Sequence, residues 1–224
     1  MKAAFRSVLR LSLLGLLCLN SYAAPAKSPT IVLISGEFEY HSAESLPLLQ
    51  KQLESKLGAK CVLLQRPVDP KAQTIAGLEA LDTADLAIFF IRRMTLPEEQ
   101  LAQIRKYAAS GRPIIGLRTA SHAFQNWKEW DREVLGGNYQ NHHNNQLATT
   151  VRVLPEAAAH PILTGVAKEF PSPGSLYRNT PLAADAKALL MGSVEGKPCR
   201  AGRVDAQLQG HARLLHVARP PEGF

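Results

Sequence analysis

Cysteine is scarce in this sequence, with three residues among 224. Cys18 lies in the N-terminal leader described below, which leaves Cys61 and Cys199 for the rest of the chain. Two cysteines do not make a disulfide scaffold, so an apolar core must hold the fold. Cys61 stands within an apolar run, which predicts a buried thiol in that core.

The N-terminal apolar run is too short to cross a bilayer, because a spanning helix needs about 20 apolar residues. This run is Leu11–Leu19, and it is flanked by basic residues and then by small ones: Lys2, Arg6, Arg10 and Ser21-Tyr22-Ala23. The pattern is that of a secretory signal peptide, residues 1–23, cut after Ala23. We therefore expect a periplasmic or extracellular protein with no membrane association after cleavage, and residues 24–29 as a linker.

The surplus of positive charge is smaller than it looks. Of the formal net charge of +7, the leader supplies three and residues 198–224 supply two, which leaves two for the body. Aromatic residues make up only 6% of the chain, and no basic stripe with interleaved aromatics occurs. We therefore expect no nucleic-acid partner. The sequence carries no signal for an oligomeric state.

Glycine fingerprints of nucleotide sites are also absent, both the Walker type and the dinucleotide type. What is present is an alternation of apolar runs and amphipathic segments. The predicted strands are Thr30–Ile34, Cys61–Leu64, Asp85–Ile91 and Pro113–Leu117, with helices over 46–57 and 97–110. Strands at Thr149–Val153 and Ala188–Val194 follow later. The alternation predicts an α/β fold with a doubly wound, mostly parallel sheet.

The stretch Arg112–Phe124 is the strongest site candidate. A short apolar strand ends there in four polar residues, Arg118, Thr119, Ser121 and His122, and an amphipathic segment, 123–135, predicts a helix after them. In open α/β sheets ligands bind beyond the carboxyl ends of the strands. The alternative is an ordinary turn in which Thr119 or Ser121 caps the helix. Arg118 and His122 exceed what a cap needs, which favours a functional site.

Other polar residues are candidates for the same site. The first loop carries His41, and two later runs carry His142, His143 and Asn144, and then Tyr177 and Arg178. Together with Thr119 these side chains offer neutral or bidentate hydrogen bonds of the kind that sugar hydroxyls accept. The alternative is that both later runs are polar surface loops.

A divalent metal is a further alternative, with His41, His122 and His142 as ligands. Adjacent residues of an extended segment face opposite ways, so at most one histidine of the pair 142–143 would take part. The run contains no carboxylate, which argues against a metal. We expect no cofactor.

With these residues in hand, the chain resembles the ThuA-like family, named for trehalose utilisation. The matching stretches are the first loop with His41, GLRTASHAF (116–124), LGGNYQNHH (135–143), HPILTGV (160–166) and GSLYRNTP (174–181). The resemblance covers 30–197, and the chain is most similar to the exported branch of the family. It implies a class I glutamine amidotransferase-like fold, a flavodoxin-like sheet with a nucleophile-elbow turn. It also implies a role in carbohydrate utilisation, with a small-molecule sugar as ligand.

The elbow of this chain lacks the amidotransferase nucleophile. Gly116-Leu117 is followed by Arg118 where those enzymes present a cysteine, so the protein is not expected to be a glutaminase. If it is an enzyme, it acts on a sugar or keto-sugar, with His41, Arg118, Ser121 and His122 as catalytic candidates. Arg118 would then orient a carbonyl or anionic oxygen.

Two alternatives to that enzyme stay open. Ser121 would be a nucleophile only beside a base, and the adjacent His122 is expected to point elsewhere on the predicted helix. The other alternative is a non-catalytic module that binds a carbohydrate or a partner on the same scaffold.

The tail, residues 198–224, does not resemble the family. One permitted codon choice for its last residues, read one base later, gives TRVFYTSLGHPKDF, which is very similar to the family's C-terminal strand and turn. We therefore expect an out-of-frame tail, with the last strand and helix of the sheet missing and little regular structure after 198. A late histidine of the family would be lost, and His216 would not replace it.

Overall fold

The computed structural model describes residues 27–195, 207–208 and 212–216. The predicted signal peptide lies outside these residues. The first half of the chain alternates strands and helices: β1 (Thr30–Gly36), α1 (Ser42–Leu57), β2 (Lys60–Gln65), β3 (Leu86–Ile91), α2 (Glu98–Ala109) and β4 (Ile114–Leu117). The predicted α/β architecture is confirmed. None of the described helices is long and apolar enough to cross a membrane.

The second half of the chain builds two smaller antiparallel sheets. Their strands are β5 (Asn141–His142), β6 (Thr149–Val153), β7 (Glu169–Ser172), β8 (Tyr177–Arg178) and β9 (Leu190–Val194). β5 pairs with β8, and β6 lies between β7 and β9. The three-stranded sheet has its own small core, in which Val151 packs with Leu163 and Leu190. The β5–β8 pair matters most, because it places His142 opposite Tyr177.

Two late strands, β10 (Gln207–Leu208) and β11 (Ala212–His216), complete the main sheet. Within the described residues its order is β10-β11-β4-β3-β1-β2, parallel throughout except for β10 against β11. The expectation of little regular structure after 198 is therefore wrong for these residues, because a strand lies at the edge that we expected to be open. β4 would otherwise present an open edge, and extended backbone of almost any sequence can supply its ladder.

The segment 123–135 is not the helix that its pattern predicts. Arg118–His122 forms a 3-10 turn, and the chain then runs beside the residues that follow β3. Met94 N donates to the Ala123 carbonyl, and Gln125 N donates to the Met94 carbonyl, both at 2.8 Å. Only a short π-helical turn, Asp131–Leu135, follows.

The aromatic residues explain this departure. Trp130 meets Phe89 and Phe124 edge to face, each pair of ring centroids 5.1 Å apart. Trp130 Nε1 also donates to the Ala120 carbonyl at 2.8 Å. The bulky rings are buried as a cluster against β3, so the apolar spacing that suggested one face of a helix serves a different packing.

Each face of the sheet is covered differently. On one face β1 and β3 contribute Val32, Ile34 and Phe89 to the larger core, which α2 closes with Leu101 and Ile104. On the other face α1 packs over the remaining residues of the strands, with Leu46 buried in the contact. Burial on both faces accounts for the nearly continuous apolar strands, and it leaves the carboxyl ends of the strands as the open edge.

Candidate functional site

Three residues with strained backbone mark the carboxyl edge of the sheet. His41, Arg93 and Arg118 have φ values of 56°, 49° and 38°, in the left-handed region that residues other than glycine rarely adopt. They follow β1, β3 and β4 respectively. Such strain costs about 1–3 kcal/mol and tends to concentrate at functional sites. The backbone thus points to the edge that the sequence pattern also selected.

Arg118 is buried and holds two parts of the chain together. Its Nη1 donates to the Ser175 carbonyl at 2.9 Å, and its Nη2 donates to Ser175 Oγ at 3.0 Å and to Tyr40 Oη at 3.3 Å. The guanidinium carbon lies 4.4 Å from the Tyr177 ring centre and 4.8 Å from that of Tyr40. With a side chain only 3% exposed, this arginine is engaged by protein groups where we expected a substrate oxygen.

The first loop reaches Arg118 through Tyr40. Buried Glu37 accepts hydrogen bonds from the backbone N–H groups of Tyr40 and Ser42, both at 2.7 Å, and so fixes the loop at the start of α1. Burial raises the pKa of the Glu37 carboxyl. His41, the residue that the sequence selected, is exposed, and its Nδ1 lies 3.8 Å from Glu44 Oε2. The loop therefore contributes a tyrosine to the buried part of the site.

Thr119 serves the turn itself. Its hydroxyl donates to the Ile91 carbonyl at 3.0 Å, and its side chain is fully buried. This bond ties the turn after β4 to the end of β3. Thr119 therefore bonds to the backbone, whereas the sequence predicted that it would bind substrate.

Ser121 and His122 form a hydrogen-bonded pair, with 3.1 Å between Ser121 Oγ and His122 Nδ1. The expectation that His122 points elsewhere is wrong, because the turn is a short 3-10 turn that ends at His122 and not an α-helix. Burial is the largest cause of a pKa lowered to about 3 for His122, and neighbouring arginines, first Arg93 and then Arg92, lower it further. Such a weak base activates a serine poorly, which argues against a serine hydrolase.

His122 belongs to a column of rings. It stacks on Tyr139 with 4.5 Å between ring centroids and 23° between planes. Tyr177 lies 4.7 Å from Tyr139, and His142 lies 6.2 Å from Tyr177. The structure thus brings together three residues that the sequence selected, His122, His142 and Tyr177, and adds Tyr139. Tyr139 stands within the matching stretch 135–143, where its flanking polar residues are the signal that was missed.

The remaining candidates from the polar loops point to local roles. His142 Nδ1 is 2.7 Å from the His143 carbonyl, so Nδ1 carries the proton. Asn144 is exposed, and its Oδ1 accepts from Gln146 N within the turn. Arg178 is half-buried, and its backbone pairs with Asn141. In the described part of the chain, no three His, Cys, Asp or Glu side chains converge as a metal site would require, so the trio with His41 that was the metal alternative is not assembled.

A cleft of about 340 Å³ opens beside His122 and Tyr139. Its basic side chains are Arg93, Lys128 and Arg132, and its acidic ones are Glu129 and Asp131. Both tryptophans of the sequence, Trp127 and Trp130, also line it. Sequence reasoning missed Arg93, although the pair Arg92-Arg93 follows β3 in the same way that Arg118 follows β4.

Known proteins share this fold. Residues 32–203 match the family model ThuA, described as trehalose utilisation. A ThuA-like protein from Bacteroides uniformis ATCC 8492 superimposes with a TM-score of 0.60 at 19% identity, over 80% of this chain and 79% of that one. A second, from Parabacteroides merdae ATCC 43184, gives 0.60 at 14% identity, over 83% and 79%.

At these identities the two solved structures show the fold alone. No curated protein sequence matches the chain. The family model, however, matches well over half of the chain. The protein therefore belongs to the ThuA family, whose description ties it to carbohydrate utilisation.

Proposed function

We propose that this protein is exported and binds a carbohydrate in the cleft beside His122 and Tyr139. The observation that carries the proposal is the stack of His122 on Tyr139 at the wall of a polar cleft. A sugar ring has apolar C–H faces and hydroxyl edges, so it needs aromatic surface and uncharged hydrogen-bonding groups together. A neutral imidazole beside a tyrosine supplies both.

The chemistry that His122 can perform follows from its low pKa. A neutral imidazole with a pKa near 3 is a weak base, but it can donate a hydrogen bond to a carbonyl oxygen without carrying charge. A keto-sugar presents such an oxygen. If the bound sugar is transformed, we propose that His122 polarises its carbonyl group.

One observation favours the second candidate, a carbohydrate-binding module without catalysis. Arg118 occupies the elbow position and is engaged by Ser175 and Tyr40. The turn that carries the nucleophile in related folds here connects two parts of the structure through Arg118. Incubation of the protein with keto-sugars, followed by NMR of the products, separates the candidates: turnover that is lost in His122→Phe supports the enzyme, and binding without turnover supports the module.

The two tryptophans make binding directly measurable. Because both line the cleft, titration with a panel of mono- and disaccharides that includes trehalose should change the intrinsic fluorescence. Removing the ring in Tyr139→Ala should weaken binding about tenfold, because one aromatic contact contributes roughly 0.5–1.5 kcal/mol. Tyr139→Phe keeps the stack and should bind within about threefold of the wild type. Equal affinity in Tyr139→Ala and the wild type would overturn the placement of the sugar.

A further inference from the structure

Three arginines surround His122, and they differ in what they do. Arg92 Nη2 forms an ion pair with Glu39 Oε2 at 2.8 Å. Arg118 is buried, with its terminal nitrogens bonded to Ser175 and Tyr40. Arg93 is exposed at the wall of the cleft, and no carboxylate of residues 27–195 pairs with it. A planar cation is thus presented to the cleft without a partner from that part of the chain.

The backbone holds Arg93 in this position at an energetic cost. Its φ of 49° is unfavourable for a residue with a long side chain. Arg93 N donates to the His122 carbonyl at 2.9 Å, and Met94 then pairs with the Ala123 carbonyl. These bonds fix the arginine against the same turn that carries His122. Asparagine or glycine would fit the conformation better, so the geometry alone does not explain an arginine here.

The charges at the mouth of the cleft reinforce this cation. Lys128 and Arg132 are exposed and line the same opening. Of the two acidic side chains there, Asp131 is buried, with Oδ2 accepting from Tyr139 N at 2.7 Å. Glu129 is the exposed one. Three cations against one exposed carboxylate give the opening a positive potential that favours an anionic ligand.

We infer that the ligand of this cleft carries an oxyanion, a carboxylate or a phosphate, that pairs with the guanidinium of Arg93. A guanidinium binds both groups through two parallel hydrogen bonds, a geometry that a neutral hydroxyl cannot use fully. This inference rests on the proposed sugar site and narrows its ligand to acidic sugars, such as uronates, aldonates or sugar phosphates. The aromatic stack holds the ring, and Arg93 selects the charged substituent.

The test compares matched ligands on the full chain. Glucose, glucuronate, glucose 6-phosphate and inorganic phosphate are titrated by tryptophan fluorescence at low salt and again at 0.5 M salt. We expect at least one charged sugar to bind roughly tenfold or more tightly than glucose, and the advantage to shrink at high salt because the charges are exposed. The preference between carboxylate and phosphate identifies the source of the oxyanion.

Arg93→Asn is the informative variant, because asparagine tolerates the left-handed backbone and keeps the fold. It should lose the advantage of the charged sugar and bind glucose as the wild type does. Arg93→Lys keeps the charge without the planar fork and should lie between the two. Arg152→Gln removes an exposed arginine that pairs with Glu169 on the three-stranded sheet, outside the cleft, and should change nothing.

The outcomes separate the two proposals. Equal binding of glucose and both charged sugars would overturn the oxyanion inference and leave the sugar site standing. An undiminished advantage of the charged sugar in Arg93→Asn would also overturn it. Binding of phosphate that depends on Arg93, with no sugar bound at all, would support the oxyanion site and remove the sugar proposal. No binding of any of the four would overturn both.

Discussion

At the scale of single residues, the most consequential side chain is Arg118. A buried cation is tolerated only when it is hydrogen-bonded, and here Ser175 and Tyr40 accept from both terminal nitrogens while two tyrosine rings cover the faces of the guanidinium. Gly174 permits this approach, since a Cβ there would come within 3.1 Å of Arg118 Nη1. The arginine at the elbow position therefore links the first half of the chain to the second.

Arg118→Met should lower the free energy of unfolding by about 2–4 kcal/mol. The substitution leaves the Ser175 carbonyl and the Tyr40 hydroxyl without their buried donor, and unmade buried bonds of this kind are costly. Urea unfolding followed by circular dichroism measures the change. Arg152→Gln, at an exposed ion pair, is the control and should change stability by less than about 1 kcal/mol. If Arg118→Met loses as little stability as Arg152→Gln, Arg118 does not link the two halves of the chain.

His122 should make stability depend on pH in the acidic range. Its pKa is about 3 in the folded protein and about 6.5 in the unfolded chain, so below pH 6.5 the unfolded state takes up a proton that the folded state does not. Stability should therefore fall as the pH drops from about 6.5 towards 3, and be unaffected by this group above 6.5. The slope attributable to His122 approaches about 1.4 kcal/mol per pH unit.

The comparison with His122→Phe isolates this contribution. Phenylalanine keeps a ring against Tyr139 and cannot titrate, so the variant should lose less stability between pH 7 and pH 4.5 than the wild type. The buried carboxyl of Glu37, whose pKa is raised, acts in the opposite direction, but it is common to both proteins and cancels. Parallel urea-unfolding profiles for the two proteins over this range would show that His122 titrates normally.

The sequence allowed some of these residues to be predicted and not others. His122, His142 and Tyr177 were accessible because each is a polar or aromatic residue in a distinctive run after a strand. Arg93 was not predicted, because an arginine that follows an apolar strand is commonly just a solvent-exposed residue at the end of the strand. Tyr139 was hidden because its partner His122 lies seventeen positions away along a path that no periodicity describes.

At the scale of elements, the strands and the first two helices follow from apolar periodicity, while the segment 123–135 does not. Its spacing fits a helix, but Trp130 packs against Phe124 and against Phe89 of β3, and the backbone pairs with Met94 instead. Tertiary packing overrides a weak local preference here. The departure has a functional result, because an α-helix would not leave His122 bonded to Ser121 and stacked on Tyr139.

Gly137→Ala should damage the site through the loop that carries Tyr139. A Cβ at Gly137 would overlap the carboxylate of Asp131, whose Oδ2 holds Tyr139 N. Displacing that carboxylate should shift Tyr139 off His122, weaken sugar binding about tenfold or more, and lower stability by roughly 1–3 kcal/mol, the range for overpacking. Tryptophan fluorescence titration and urea unfolding measure the two effects.

Gly165→Ala is the matched control for that substitution. Gly165, unlike Gly137, has a positive φ of 79°, and no atom lies within 4 Å of a Cβ built there. Its cost is backbone strain alone, about 1–3 kcal/mol, with unchanged affinity for sugar. If both variants lose stability but keep full binding, the bond from Asp131 to Tyr139 does not position the ring.

At the scale of the whole molecule, the edge of the sheet beyond β4 depends on the tail. The strand Ala212–His216 covers β4 in parallel register, although residues after 203 lie outside the match to the family. We propose that these residues are an out-of-frame substitute for the family's own last strand. Any extended backbone can pair with the edge of β4. The SLGHP turn of the shifted reading, in contrast, requires its own sequence.

Two variants of the tail test this proposal. Deletion of residues 197–224 should expose the edge of β4 and make the protein aggregate, which light scattering during refolding would detect. Replacing the tail by the shifted reading that contains TRVFYTSLGHPKDF should raise soluble yield and melting temperature. An unambiguous gene read whose codons do not permit that sequence would remove the proposal, as would identical yields from all three chains.

The bond between Arg118 and Ser175 also has a consequence for biosynthesis. The two residues are 57 positions apart, and a ribosome adds about 5–20 residues per second, so about 3–11 s separate their synthesis. During that interval β1–β4 are complete, but the guanidinium lacks its bonds to Ser175, and Tyr139 lacks Tyr177 beside it. Chains made in vitro without the signal peptide and stalled near residue 170, where the turn after β4 has left the exit tunnel but Ser175 has not been added, should therefore remain sensitive to protease at that turn. Chains stalled after the GSLYRNTP stretch has left the exit tunnel should be protected.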